Sequence, residues 1–252
     1  MLFNTVIWYF FFYAVIGYLV EVTYCSVPQR KLVNRGFLYG PWLPIYGIGA
    51  LLIIIGTHHV VTKPILVFFV TVFLTSAVEY IGGWGLERFF GLRLWDYSTY
   101  RFNFRGRICL RNSTLFGLLG LALVYGIHPA VQDLMAAMGE RTADIGAHVI
   151  VLVFAIDTTA SVLSMRSFAA LLERYHLRKG EIEEKLASQS QARLLVERLK
   201  EERVELMETL ALKSRSILSR FPSLTSQSEE RKGHLRAVRE RIEEILQERK
   251  KR

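Results

Sequence analysis

The stretch PILVFFVTVFLTSAVEYIGGW, Pro64–Trp84, decides the fold. At 1.5 Å per residue a helix of this length reaches about 30 Å, the thickness of a bilayer's hydrocarbon core. One ionisable group, Glu79, interrupts it. The same pattern recurs on both sides. Leu2–Val22 carries no charge before Glu21 and lacks both a basic start and a small-residue cleavage site, so it reads as a retained helix rather than a signal peptide. Thr114–Ala130 holds Gly117, Gly120 and Gly126, small residues that let neighbouring helices approach closely. Ile145–Met165 carries His148 near its start and Asp157 near its middle. The remaining candidate, Trp42–Gly56, is short. Extending it back to Phe37 takes in Pro41 and Pro44, so it is either a broken, re-entrant segment or an ordinary span with proline in its first turn. Five spans are expected, in an all-α, polytopic helical membrane bundle.

Charge divides the chain in two. Residues 1–168 carry 12 of the 32 Lys and Arg and 8 of the 23 Asp and Glu. The rest lies in residues 169–252. This predicts a membrane domain over 1–168 and a charged helical tail over 169–252. Lys and Arg in the connections number 3 (Arg30, Lys31, Arg35), 1 (Lys63), 6 (Arg88 to Arg111), 1 (Arg141) and 20 in the tail. Positive charge collects on the cytoplasmic side. The alternation therefore predicts an external N-terminus, a cytoplasmic C-terminus and a multi-pass protein of the cell membrane.

The third connection is richer than topology requires. NFRGRICLRN, Asn103–Asn112, holds three arginines and two asparagines, and the wider loop adds Trp95, Asp96, Tyr97, Tyr100, Phe102 and Phe104. Aromatics suit the headgroup layer, and arginines fork onto carboxylate or phosphate oxygens. The loop reads as an interfacial site for an anionic group, or as a folded anchor that satisfies its own charges, with Asp96 pairing an arginine. Glu21, the stretch NRGFLYGP (Asn34–Pro41) and Glu79 belong to the same side by the topology above. They converge either as a polar vestibule, with Arg35 and the loop arginines, or as ion pairs that hold the bundle. Asp157 is mid-span, where a carboxylate must be protonated, hydrogen-bonded to Thr158, Thr159 or another helix, or part of a path. Candidate ligand or path residues are thus Glu21, Asn34, Arg35, Tyr39, Glu79, Trp95, Asp96, Tyr97, Asn103, Arg105, Arg107, Asn112 and Asp157.

The blocks NRGFLYGPWLPIYGIGALL, EYIGGWGLERFFGLRLWDYS, NFRGRICLRNSTLFGLLG and VYGIHP, in this order, resemble the ABC-transporter type IV family, also called CmpB-like. The resemblance covers roughly residues 1–165 and implies a multi-span bacterial inner-membrane protein of permease type. The family's motif positions fall here on Glu21, Asn34, Arg35, Gly36, Tyr39, Gly40, Pro41, Tyr46, Gly47, Glu79, Trp95, Asp96, Tyr97, Asn103, Gly106, Arg107, Cys109, Asn112 and Ser113. The resemblance assigns no catalytic role to any of them and does not reach the tail.

In the tail, Val196, Leu199, Arg203, Leu206, Leu210, Lys213 and Ile217 step by three and four, the spacing of an amphipathic helix or coiled coil. RFPSLTSQSEE interrupts it, with Pro222 as breaker and Ser226 three before Glu229 as a candidate cap. Leu235, Val238, Ile242 and Ile245 resume the stepping. Two helices follow, folding into a hairpin or pairing across two chains in a homo-oligomer. The basic residues suit anionic lipid heads. Interspersed glutamates and the lack of a binding motif argue against nucleic acid.

No phosphate-binding G-x-x-x-x-G-K-[ST] loop is present, so an ATPase, if one is used, belongs to another chain docked at the tail. His58 and His59 lack zinc-like spacing to further ligands, and Cys25 and Cys109 read as free thiols. Neither cofactor nor metal is expected. The favoured reading is a permease-like membrane component. The alternatives are a membrane-embedded enzyme acting on lipid headgroups, with Glu21 or Glu79 as base, Arg105 or Arg107 as phosphate clamp and Asp96 as orienting group, or a scaffold acting through its tail.

Overall fold

The computed structural model describes residues 2–30, 33, 35–188, 193–221, 224–226 and 229–251. The protein is a helical membrane bundle with almost no sheet. Its helices are α1 (Leu2–Gln29), α2 (Pro44–Thr57), α3 (Pro64–Phe90), α4 (Leu110–Ala122), α5 (His128–Ala136), α6 (Glu140–Ser188), α7 (Arg193–Arg220) and α8 (Glu229–Lys251). A single 3₁₀ turn, His58–Val60, follows α2, and a π-helical turn, Leu123–Ile127, joins α4 to α5. Among the described residues four stretches are long and apolar enough to cross a membrane: Leu2–Val27, Pro64–Phe90, Leu110–Ala136 and Glu140–Glu184. Ile65, Phe69, Phe73 and Ile81 on α3 are exposed. An apolar stripe of this kind is costly in water and is the natural face toward lipid.

The chain divides into two units, Met1–Gly85 with Trp95–Ser161, and Leu86–Leu94 with Val162–Arg252. In the first, α1 and α2 run antiparallel: Leu43 N–H donates to Ala14 O at 2.9 Å, and Gly47 lies against Phe10. The start of α1 sits beside that of α6, where Trp8 Nε1 donates to Ala143 O (2.9 Å) and Asn4 Nδ2 to Asp144 Oδ1 (2.9 Å). A core of Tyr13, Ala50, Ile53, Val67, Leu123, Val124 and Val131 fills the bundle. Helix α4 approaches α3 closely because Gly120 carries no Cβ; one added there would overlap the Thr71 side chain.

The short second segment is broken into an irregular half and a helix. Helix α2 has 14 residues, about 21 Å, too few to cross alone. Pro44 sits at its first turn and carries no N–H to leave unsatisfied. Residues 35–43 ahead of it are irregular. They run back along α1 from Arg35, beside Glu21, to Leu43, beside Ala14. The non-helical half and α2 together retrace α1.

In the second unit, α7 and α8 fold back on each other as a hairpin. Leu199, Leu210 and Ile217 from the first predicted stripe and Leu235 and Val238 from the second are buried. Arg241 reaches from α8 to Glu208 on α7 at 2.6 Å. Arg93 and Thr225 exchange two backbone hydrogen bonds, at 2.8 and 2.9 Å. The predicted breaker Pro222 lies outside the described residues. Ser226, expected as a cap, is buried and donates to Gly91 O at 3.5 Å.

Candidate functional site

Two polar constellations lie within the first unit. The first is built on Asp157. Its Oδ1 accepts from Tyr39 N–H (2.8 Å) and Ser161 Oγ (3.2 Å), and its Oδ2 from Gly40 N–H (2.8 Å) and Trp42 Nε1 (2.9 Å). Unwound backbone packed among helices must find partners in protein, and this carboxylate supplies them. The expected neighbours Thr158 and Thr159 are not its partners here, and Thr159 Oγ1 donates to Ala155 O instead. One turn of helix separates Asp157 from Ser161, whereas Thr158 and Thr159 point to other faces.

The second gathers Glu21, Arg35, Tyr46, Glu79 and Tyr97. Arg35 bridges to Glu21 Oε1 at 3.1 Å and to Cys25 Sγ at 2.8 Å. Tyr46 Oη donates to Glu21 Oε2 at 2.7 Å. Both oxygens of Glu21 are thereby engaged. Glu79, only 6% exposed, differs. Its Oε1 accepts from Tyr97 Oη at 2.9 Å, while its Oε2 is buried with no hydrogen-bond partner among the described residues. Tyr97 also pairs with the Asn112 side chain. Burial first, and the Glu79 carboxylate second, push the Tyr97 phenol far above its ordinary range, so it remains a donor.

The loop that brings Tyr97 here is a folded hairpin. Strands β1 (Asn103–Phe104) and β2 (Ile108–Cys109) pair antiparallel around Arg105–Gly106. Both turn residues have positive φ, 52° and 68°, and Arg107 N–H returns to Phe104 O at 3.1 Å. This is the sign of φ that a two-residue hairpin turn demands. Asn103 staples it: Oδ1 accepts from Gly106 N–H (3.0 Å), and Nδ2 donates to Tyr100 O (2.8 Å). Tyr97 N–H donates to Gly106 O at 2.8 Å. Trp95 Nε1 holds Arg107 O at 3.0 Å. Asp96 Oδ1 accepts from Ser98 N–H at 3.0 Å, a local turn bond.

The arginines stack. Arg107, buried, lies 5.3 Å over the Tyr80 ring; Arg105 lies over Phe104 at 5.6 Å and Arg111 over Tyr100 at 5.7 Å. Arg105 and Arg107 each reach Tyr80 Oη at 3.4 Å. Glu21 thus meets Arg35, as expected, and the hairpin arginines centre on Tyr80. Tyr46, a motif position of the resemblance, and Cys25, read as a free thiol, join the cluster; neither stood among the candidate ligand residues, because a tyrosine and a cysteine among apolar residues carry no ligand pattern of their own. Candidate Asn34 lies outside the described residues. An apolar groove lined by Phe12, Ile16, Tyr125 and Gly126 opens at the π turn and contains no cluster residue.

These features define a polytopic helical membrane protein with a broken second segment and a buried polar cluster. The chain belongs to the family described as "Putative ABC-transporter type IV", whose pattern matches residues 8–162. No curated protein and no solved structure matches the chain.

Proposed function

We propose that the chain is the membrane-spanning, permease-like component of a transporter whose ATPase is a separate chain. The observation that supports this best is Glu79: a carboxylate buried inside a span, with one oxygen held by Tyr97 and the other without a partner among the described residues. Ionisable groups within spans are costly and mark solute or proton paths. Glu21, neutralised by Arg35 and Tyr46, is the structural counterpart, and Glu79 is the carboxylate that meets a cationic or proton-donating solute. The polar cluster opens to the cytoplasm, the N-terminus is external, and the charged tail docks the ATPase and rests on anionic lipid. Five crossings make a small unit, so two copies form the path.

The test is purification of the full chain from its native membranes in mild detergent, with assay of bound proteins and ATP hydrolysis. A nucleotide-hydrolysing partner is expected with the wild type and absent after truncation at Met165. Glu79→Gln keeps the partner and alters its hydrolysis rate. A wild-type preparation holding lipid alone, with no hydrolysis, contradicts the transporter reading.

A further inference from the structure

Three side chains of the second unit converge at one point. His176 lies on α6; Glu230 and His234 lie on α8, one turn apart on the same face. One ligand atom from each falls within 4.8 Å of the other two. His176 Nδ1 stands 3.3 Å from Glu230 Oε1. That is close to the ligand-to-ligand edge, about 3.3 Å, of a tetrahedron built on ordinary zinc bonds. The imidazole centroids are 5.3 Å apart. Nδ1 of His176 and Nδ1 of His234 are both buried and lack a hydrogen-bond partner among the described residues, and His234 is 4% exposed. A buried imidazole nitrogen left without a partner costs stability, and two side by side call for a common ligand.

We propose that His176, Glu230 and His234 form a binding site for a zinc-type divalent cation that ties α6 to α8. Two imidazoles and one carboxylate are a ligand set that zinc accepts, with a water completing four-coordination. Imidazole nitrogen favours such late, borderline ions over calcium or magnesium, which take oxygen. The surroundings can accommodate the charge. Lys179 Nζ now lies 3.2 Å from His234 Nε2 and 3.6 Å from Glu183 Oε1. When Nδ1 binds the ion, Nε2 carries the ring proton, and Lys179 moves to Glu183. Arg231 is held by Glu173. The ion acts as a clip: with it bound, α8 is fixed to α6, and without it α8 is held by packing and by the Arg231–Glu173 ion pair.

The experiment uses the untagged full-length protein in detergent, stripped with a chelator and titrated with Zn²⁺ by calorimetry. Co²⁺ serves as a spectroscopic substitute. One ion per chain is expected, with a tetrahedral Co²⁺ spectrum and a zinc-dependent rise in melting temperature. Glu230→Gln and His176→Asn, both at less buried positions than His234, should each weaken binding by more than the roughly tenfold that outer-shell changes cost. They should also abolish the melting shift while keeping the helical circular dichroism of the metal-free protein. His59→Asn, far away in sequence, should bind as the wild type does. Absence of saturable binding, or equal affinity in all three variants, overturns the proposal.

Discussion

Asp157 Oδ1 accepts the backbone N–H of Tyr39 at 2.8 Å, across 118 positions of sequence. This bond and its neighbours to Gly40 and Trp42 let the chain leave helical geometry inside the bundle. Asp157→Ala removes the acceptor of four donors, Ser161 Oγ included, and should cost on the order of 3 kcal/mol or more, while Asp157→Asn keeps one acceptor oxygen and loses less. Thermal unfolding in detergent should rank wild type above Asn above Ala. Equal melting of wild type and Ala would remove the carboxylate from this role.

Gly120 and Gly126 look alike in sequence and differ in surroundings. A Cβ at Gly120 overlaps Thr71; at Gly126 nothing lies within 4 Å. Gly120→Ala should therefore destabilise by about 1–3 kcal/mol through overpacking, and Gly126→Ala should not. Paired melting curves decide it.

Gly106 holds φ at 68° in the hairpin turn. Gly106→Ala should cost about 1–2 kcal/mol from the clash of Cβ with the carbonyl in this region. Loss should appear first as faster amide exchange at Arg107 and Tyr97, whose hydrogen bonds the turn closes.

Arg107 is buried over Tyr80, whereas Arg105 is exposed. Arg107→Ala should lose packing and a cation–π contact of about 0.5–2 kcal/mol, and Arg105→Ala should change stability little. If Arg105 meets anionic headgroups, its loss instead lowers the anionic lipid that co-purifies. Identical lipid profiles, measured by mass spectrometry, would leave the hairpin as an anchor.

The spans were legible because a bilayer imposes length and apolarity residue by residue, as Pro64–Trp84 shows. The tail helices were legible for the matching reason, a three-and-four stepping of Leu199, Leu210 and Ile217. The break before α2 was visible only as shortness and two prolines; its partner Asp157 stood out as a mid-span charge. Their pairing was not visible, since nothing local links Tyr39 to residue 157. The hairpin turn at Arg105–Gly106 was hidden too: the arginines suggested ligands, while the fold stacks Arg105 on Phe104 of the loop and Arg107 on Tyr80 of α3.

As the lining of a path, the cluster around Glu21 and Glu79 must connect to cytoplasmic water. Cys25, whose Sγ lies 2.8 Å from Arg35, is a native reporter inside it. In a Cys109→Ser background, a small membrane-impermeant thiol reagent should label Cys25 in inside-out vesicles and not in right-side-out ones. Labelling that appears only after denaturation, or only from the outer face, would contradict the claim and leave the cluster as ion pairs that hold the bundle together.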